Sequence, residues 1–363
     1  MFKGNGADNI WFVCFLLFVG LVLIIKGGDF FVDAAVWIAE TFRVPKFLIG
    51  TTIVSVATTL PEMIVSVIAV IHGDYSISVG NAVGSVTANT GLILSIGIIF
   101  MNCVIERKEF GVKTVLMMLG SLIIFIFGLS GSFGILPSIL LLIIFVYYVY
   151  ETISSSKKRV FIKEERTIKY KKEKNSKTII INVLKFILGT TGVILGANLL
   201  VENAKALASF IGVSDGIVAI TIVAVGTSLP ELITTITSIV KKQSDLGVGN
   251  IVGANILDLV LILPICSFIS KGQLVMEKQN IILDVPASLI ISIVAVVPTI
   301  INGKFKKTQG KQLFIVALVQ ADGRLVQDIE YARERATNLG SQTDTLAFAA
   351  RQSSRRTHQG KIV

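Results

Sequence analysis

Apolar residues along this chain gather in long runs instead of the short amphipathic stripes that coat a soluble core. The runs are centred in Ile10 to Ile25, Phe47 to Ile71, Ile77 to Cys103, Thr114 to Gly128, Ile135 to Tyr150, Thr178 to Leu207, Ile217 to Val240, Leu246 to Phe268 and Ile281 to Ile301. A bilayer core is crossed by roughly 20 apolar residues in a helix, so this pattern predicts nine spans. The first helix should run on toward Ala39, because Phe30, Phe31, Ala34, Ala35 and Ile38 keep a helical apolar stripe among Lys26, Asp29 and Asp33. No cleavage site of small residues follows Trp11 to Ile25, which predicts a retained helix and not a signal peptide.

Composition supports a multispanning protein: 53% of the 363 residues are hydrophobic and 16% are charged. The net charge of +10 points to no nucleic acid once its location is considered. Residues 157–177 hold ten Lys/Arg and three Glu, and residues 303–363 hold eleven Lys/Arg and five acids, so the spans and short loops are net negative. Basic loops face the cytoplasm. If 152–177 is a cytoplasmic linker, five spans precede it and the amino terminus lies outside. Arg107, Lys108 and Lys113 after the third span, and Lys304, Lys306, Lys307 and Lys311 after the ninth, then also fall inside. Cys14, Cys103 and Cys266, and the isolated His72 and His358, have neither disulfide nor metal-ligand spacing.

Two segments are copies of each other. Thr58-Thr59-Leu60-Pro61-Glu62 recurs as Thr227-Ser228-Leu229-Pro230-Glu231, and Gly80-Asn81-Ala82-Val83-Gly84 recurs as Gly249-Asn250-Ile251-Val252-Gly253, both at a separation of 169 residues. The register holds without a gap from Thr52/Thr221 to Leu94/Leu263. An odd number of spans between the copies turns the second one over. The expected fold is therefore all-α and integral to the membrane, with about 9–10 transmembrane helices and two inverted-topology repeats with broken helices. Residues 1–151 form the first half, with its repeat at about 44–101, and 178–302 form the second, with its repeat at about 213–270. The linker at 152–177 reads as a flexible hinge.

Each copy buries an acid. An ionised carboxylate near the centre of a span costs roughly 2.5–3.5 kcal/mol on insertion scales. Glu62, Glu231 and Asp258 lie at such depths, with no Lys or Arg in the same segments, so a mobile cation is the missing partner. Pro61 and Pro230 delete an N–H and are expected to break their helices, placing each glutamate in the first turn of a new half-helix and freeing carbonyls just before it. Those carbonyls, the hydroxyls of Thr58, Thr59, Thr227 and Ser228, and the carboxylates make an all-oxygen set suited to hard cations such as calcium. Asn81 and Asn250 either bridge the broken helices or touch the ion. Asn89 pairs by register with Asp258, so one position supplies an amide in one half and an acid in the other.

These motifs resemble the alpha repeats of the sodium/calcium exchangers of the calcium:cation antiporter superfamily, with their Gly-Thr-Ser-Leu-Pro-Glu turn and Gly-Asn-x-x-Gly-Ser-Asn stretch. The resemblance implies cation sites ringed by Glu62, Glu231, Asp258 and Asn89, with Thr58, Thr59, Thr227, Ser228 and Ser85 assisting. It also implies exchange of several sodium ions for one calcium, as the first and sixth helices slide over a fixed eight-helix core. Ala57 stands where the first turn usually has glycine, and Val86 and Ala254 stand where polar residues are usual. No tenth span is evident: beyond Lys311 only Leu313 to Val319 is apolar, and 303–363 reads as an atypical basic tail without a transport role.

The expected function is secondary antiport in the cell membrane, with no enzymatic step and no cofactor. Its partners are calcium, sodium and the lipid bilayer. A proton could replace sodium, because protonating clustered carboxyls also removes buried charge, and calcium/proton exchange is the nearest alternative. Asp258 favours sodium, since proton-coupled relatives are expected to carry an amide there. A cation channel would also use carboxylate rings, but inverted broken-helix repeats suit alternating access better. A non-transporting scaffold would predict that Glu62→Gln and Glu231→Gln leave flux unchanged.

Overall fold

The computed structural model describes residues 10–100, 107–166, 176–210, 228–278 and 280–317. The first apolar run and the stripe after it form one helix, α1 (Ile10–Thr41), as the spacing predicts. Next come α2 (Lys46–Ile71) and α3 (Tyr75–Thr87), the latter continuing through Ala88–Ile93 into Leu94–Phe100. Helices α4 (Arg107–Gly128) and α5 (Ile135–Arg166) complete the first half. The second half holds α6 (Ser176–Phe210), α7 (Leu229–Val240), α8 (Ser244–Leu257, continuing to Ile269) and α9 (Val285–Asn302, entered through Asn280–Asp284). The only strands among the described residues, β1 (Ser132–Phe133) and β2 (Leu274–Val275), make a short antiparallel bridge between two loops.

Eight of these helices are long and apolar enough to cross a membrane. The expected run from Ile217 to Val240 is represented by α7, because residues 211–227 lie outside those described. Side chains such as Trp11, Phe18, Leu136, Val146 and Ile301 are exposed, as lipid-facing positions require. Part of the 152–177 segment is helical, since α5 runs on to Arg166.

Helix α8 lies at the centre, and Leu246 through Leu257 are buried without interruption. Its neighbours approach closely because the contacts are glycine. A Cβ on Gly249 would collide with the Phe47 carbonyl, and one on Gly50 with the Leu246 carbonyl, so α2 and α8 touch backbone to backbone. At the periphery α1 and α6 pack along most of their length, where a Cβ on Gly27 would sit 2.8 Å from Val193 N. The two repeats use equivalent pairs: α2 packs on α3 as α7 packs on α8.

The interruptions differ from expectation in the first copy. Helix α2 runs through Pro61 without a break, and the departure from α-helical geometry is a π-helical turn upstream at Gly50–Val54. A proline removes one donor but can keep helical dihedrals when its neighbours are held on both sides, so a kink need not become a break. The second copy behaves as expected: α7 starts at Leu229 with Ser228 before it in a non-helical conformation and Pro230 in the first turn. Further π-helical turns occur at Ala88–Ile93 and Asp258–Ile262, which coincide under the repeat register. The Tyr148 hydroxyl of α5 donates to the Thr51 carbonyl in the first of these π turns.

The chain after α9 corrects the sequence reading. Residues 307–317 form a further helix, α10, packed against the bundle with Gln309 and Leu313 buried. Pro298, inside α9, cannot donate to the Val294 carbonyl one turn back. The Gln309 amide does so instead, donating from Nε2 to Val294 O at 3.1 Å and to Ala295 O at 2.5 Å. A glutamine in a basic stretch reads as surface, and only the proline three-dimensionally beside it reveals the role. Residues from 318 on lie outside those described.

Candidate functional site

The three acids arrive from three helices. Glu62 projects from the middle of α2, Glu231 from the first turn of α7, and Asp258 from the start of the π-helical turn in α8. Each is 1% exposed. They are close enough to interact electrostatically, Glu62 with both others and Asp258 with Glu231. Asn89, at the register position of Asp258, lies in the matching π-helical turn of α3 and is also buried. Turns of this kind interrupt the regular hydrogen-bond ladder and recur at functional positions.

What marks the site is unspent hydrogen-bonding capacity. Both carboxylate oxygens of Glu62, Glu231 and Asp258 lack a hydrogen-bond partner among the described residues, as do Asn89 Oδ1, Thr59 Oγ1, Ser85 Oγ and Ser228 Oγ. Buried polar atoms are otherwise almost always paired, so these oxygens form an unusual concentration of unsatisfied acceptors. Thr58 is the exception, donating to Asn250 Oδ1 at 3.1 Å. Thr227 lies outside the described residues. No three His, Cys, Asp or Glu side chains among those described close into a compact metal cluster.

The two amides left open by the sequence serve as bridges. Asn81 Nδ2 donates to the Glu62 carbonyl at 3.1 Å and to Ser66 Oγ at 2.9 Å. Asn250 Nδ2 donates to Thr234 Oγ1 at 2.8 Å, and Thr234 in turn donates to the Glu231 carbonyl at 3.0 Å. Each asparagine thus ties the helix of the second motif to the backbone of its own repeat's glutamate.

Further buried polar residues on the same helices were not singled out in the sequence. Asn255 donates to Thr90 Oγ1 at 2.7 Å and keeps an unpartnered Oδ1. Thr235 and Ser238 on α7 are buried, with unpartnered hydroxyls. The signal was available: Asn255 precedes Asp258 by three residues and Thr235 follows Glu231 by four, which places each pair on one helical face.

Residues 12–153 and 181–320 match the family described as sodium/calcium exchanger protein. The chain belongs to that family. A membrane protein of Methanocaldococcus jannaschii is 32% identical over 241 residues, covering 66% of this chain and 76% of that one. The sodium/calcium exchanger MaX1 of Methanosarcina acetivorans is 26% identical over 333 residues, covering 83% and 95%. Among solved structures, the sodium-calcium exchanger NCX_Mj soaked with 10 mM Na+ and 10 mM Sr2+ superposes with a TM-score of 0.74 at 27% identity, covering 86% of this chain and 98% of that one. Membership in this family makes the chain an integral membrane antiporter of the calcium/cation type, and the inverted-repeat helical fold is the family's own.

Proposed function

We propose that the protein exchanges calcium for sodium by alternating access at the site ringed by Glu62, Glu231, Asp258 and Asn89, with Thr58, Thr59, Thr227, Ser228 and Ser85 contributing neutral oxygens. The observation that carries this reading is the set of three buried carboxylates, contributed by both repeats, whose oxygens have no hydrogen-bond partner among the described residues. An empty ring of three acids at membrane depth is costly. One calcium or several sodium ions offset that charge, so loading the site permits the change of orientation and an empty site resists it. An ion with equal affinity for both orientations moves no equilibrium, so coupling arises from which loaded states can switch. Calcium takes six to eight oxygens, and three carboxylates reach six only if every one binds through both oxygens, which gives the hydroxyls and Asn89 their part.

Sodium is preferred to the proton as the driving ion because Asp258 is an acid where the resemblance to proton-coupled relatives would predict an amide. The basic segment 152–177 sets the orientation, with the linker cytoplasmic and the amino terminus outside, in the cell membrane. The test is calcium uptake into proteoliposomes under an imposed sodium gradient and, separately, a proton gradient. Sodium-driven uptake that is lost in Glu62→Gln is expected. Uptake driven by the proton gradient alone replaces sodium with the proton in this scheme, and uptake unaffected by Glu62→Gln removes the site assignment.

A further inference from the structure

The helix of the first acid is gripped by a buried tyrosine from outside both repeats. Tyr148 of α5 is 3% exposed and donates its hydroxyl to the Thr51 carbonyl, inside the π-helical turn Gly50–Val54 of α2. Its ring and its backbone are both held. The Lys113 ammonium lies 5.2 Å from the ring centre, pairs with Glu151 at 2.7 Å and donates to Thr152 Oγ1, and Thr152 in turn donates to the Tyr148 carbonyl at 2.8 Å. A buried phenol fixed in this way presents a donor of set direction.

The turn it grips sets the rotation of the rest of α2. Thr51, Ser55, Thr58, Glu62 and Ser66 are all buried and recur at helical spacing on one face. A π-helical turn takes in about one residue more than an α turn, so its collapse to α geometry would swing everything beyond it by about 100° about the axis. Thr58 and Glu62 both lie beyond the turn, and that swing would carry them off the buried face. Glycine holds α2 against α8, since a Cβ on Gly253 would fall 2.7 Å from Thr51 Cα. Such a contact fixes how near the helices lie, whereas a hydrogen bond to a carbonyl also fixes direction.

We propose that Tyr148 is a positioning residue for the ion site, holding the π-helical turn of α2 so that Thr58, Thr59 and Glu62 face the other acids. The inference rests on the site proposed above. Tyr148 touches no ion in this scheme and acts only through the backbone of α2. Groups that orient ligands from behind in this way tune affinity without supplying a ligand.

The test compares full-length wild type, Tyr148→Phe, Ser138→Ala and Glu62→Gln at a temperature below the Tm of each. Tyr148→Phe keeps the ring beside Lys113 and removes only the donor. Ser138→Ala is the control, removing a buried hydroxyl earlier in α5 that donates to the Gly134 carbonyl. Calcium binding by equilibrium dialysis should weaken about 10–100-fold in Tyr148→Phe, the scale for groups that orient ion ligands, and should match wild type in Ser138→Ala. Amide hydrogen exchange across residues 50–58 should quicken about tenfold in Tyr148→Phe, the scale of one hydrogen bond. Wild-type calcium affinity in Tyr148→Phe, unchanged exchange across 50–58, or an equal loss of affinity in Ser138→Ala overturns the role of Tyr148. Glu62→Gln separates the two claims: calcium binding that survives it removes the site itself, whereas binding lost in Glu62→Gln and unshifted in Tyr148→Phe removes only the part of the tyrosine.

Discussion

Asn81 on α3 donates to the backbone carbonyl of Glu62 on α2 at 3.1 Å, so the helix that carries the first acid is oriented by an amide from its repeat partner. Groups that orient ion ligands without touching the ion cost about 10–100-fold in affinity when removed. Asn81→Ala should therefore raise the half-saturating calcium concentration by about that factor while leaving Glu62 in place. Asn81→Asp keeps an acceptor but loses the donor, and should behave like the alanine variant. Equal calcium dependence in wild type and Asn81→Ala, measured in proteoliposomes, would remove the orienting role.

The backbone contact between α2 and α8 predicts a steric lesion at Gly249. A methyl there meets the Phe47 carbonyl, which cannot move without shifting α2, and overpacking of this kind costs about 1–3 kcal/mol. Gly249→Ala should lower Tm clearly. Gly111→Ala is the control, because its added carbon meets only Ile300 Cδ1 at 3.9 Å and alanine favours a helix. Comparable Tm values for the two variants would show that the close approach is dispensable.

How far the sequence foretold this arrangement depends on which property each residue obeys. Span positions and the long α1 followed from hydropathy, and Glu62, Glu231, Asp258 and Asn89 followed from the duplicated register, since charge at membrane depth is rare enough to stand out. Other features escaped because they are relations between distant segments. Pro61 carries the same local signal as Pro230, yet one helix continues and the other begins, since neighbouring helices decide whether a lost hydrogen bond becomes a kink or a break. Gln309 acquires its meaning from the distant turn of α9 that it caps, including the carbonyl that Pro298 cannot serve.

Lys113 is a fully buried cation on α4, paired with Glu151 of α5 at 2.7 Å, donating to Thr152 Oγ1 at 2.7 Å and lying 5.2 Å from the centre of the Tyr148 ring. Removing one member of such a pair strands the other, at a cost of about 3–5 kcal/mol, whereas replacing both with apolar groups is often nearly neutral. Buried Glu109 also interacts with Lys113, so Lys113→Met should destabilise strongly and Lys113→Met/Glu151→Leu should recover only part of the loss. A double variant as unstable as the sum of the two singles would mean that the pair is not coupled.

The α9–α10 junction makes a prediction about the end of the bundle. Gln309→Leu keeps the volume near Leu313 but leaves the Val294 carbonyl without its donor, at a cost of about 1–3 kcal/mol for a buried unsatisfied group. Combining it with Pro298→Ala restores an N–H able to serve Val294, so the double variant should lose less stability than Gln309→Leu alone. Thermal unfolding of the four proteins gives the coupling directly, and strict additivity would rule out the exchange of donors.

The unequal register pair Asn89/Asp258 carries the last prediction. With all three acids ionised the ring holds a charge of −3. Asp258→Asn makes the pair equal and reduces that charge to −2, which a single calcium balances fully. Calcium binding should survive in this variant, because both glutamates and the neutral oxygens remain. Sodium should suffer more, since several monovalent ions depend on several separate negative centres and one has been removed. The expected outcome is retained calcium binding, measured by equilibrium dialysis, with uptake under a sodium gradient reduced by at least about tenfold, the scale of one charge-assisted interaction. Unchanged sodium-driven uptake in Asp258→Asn would show that the third carboxylate does not set the coupling ion, leaving the two glutamates to carry exchange by themselves.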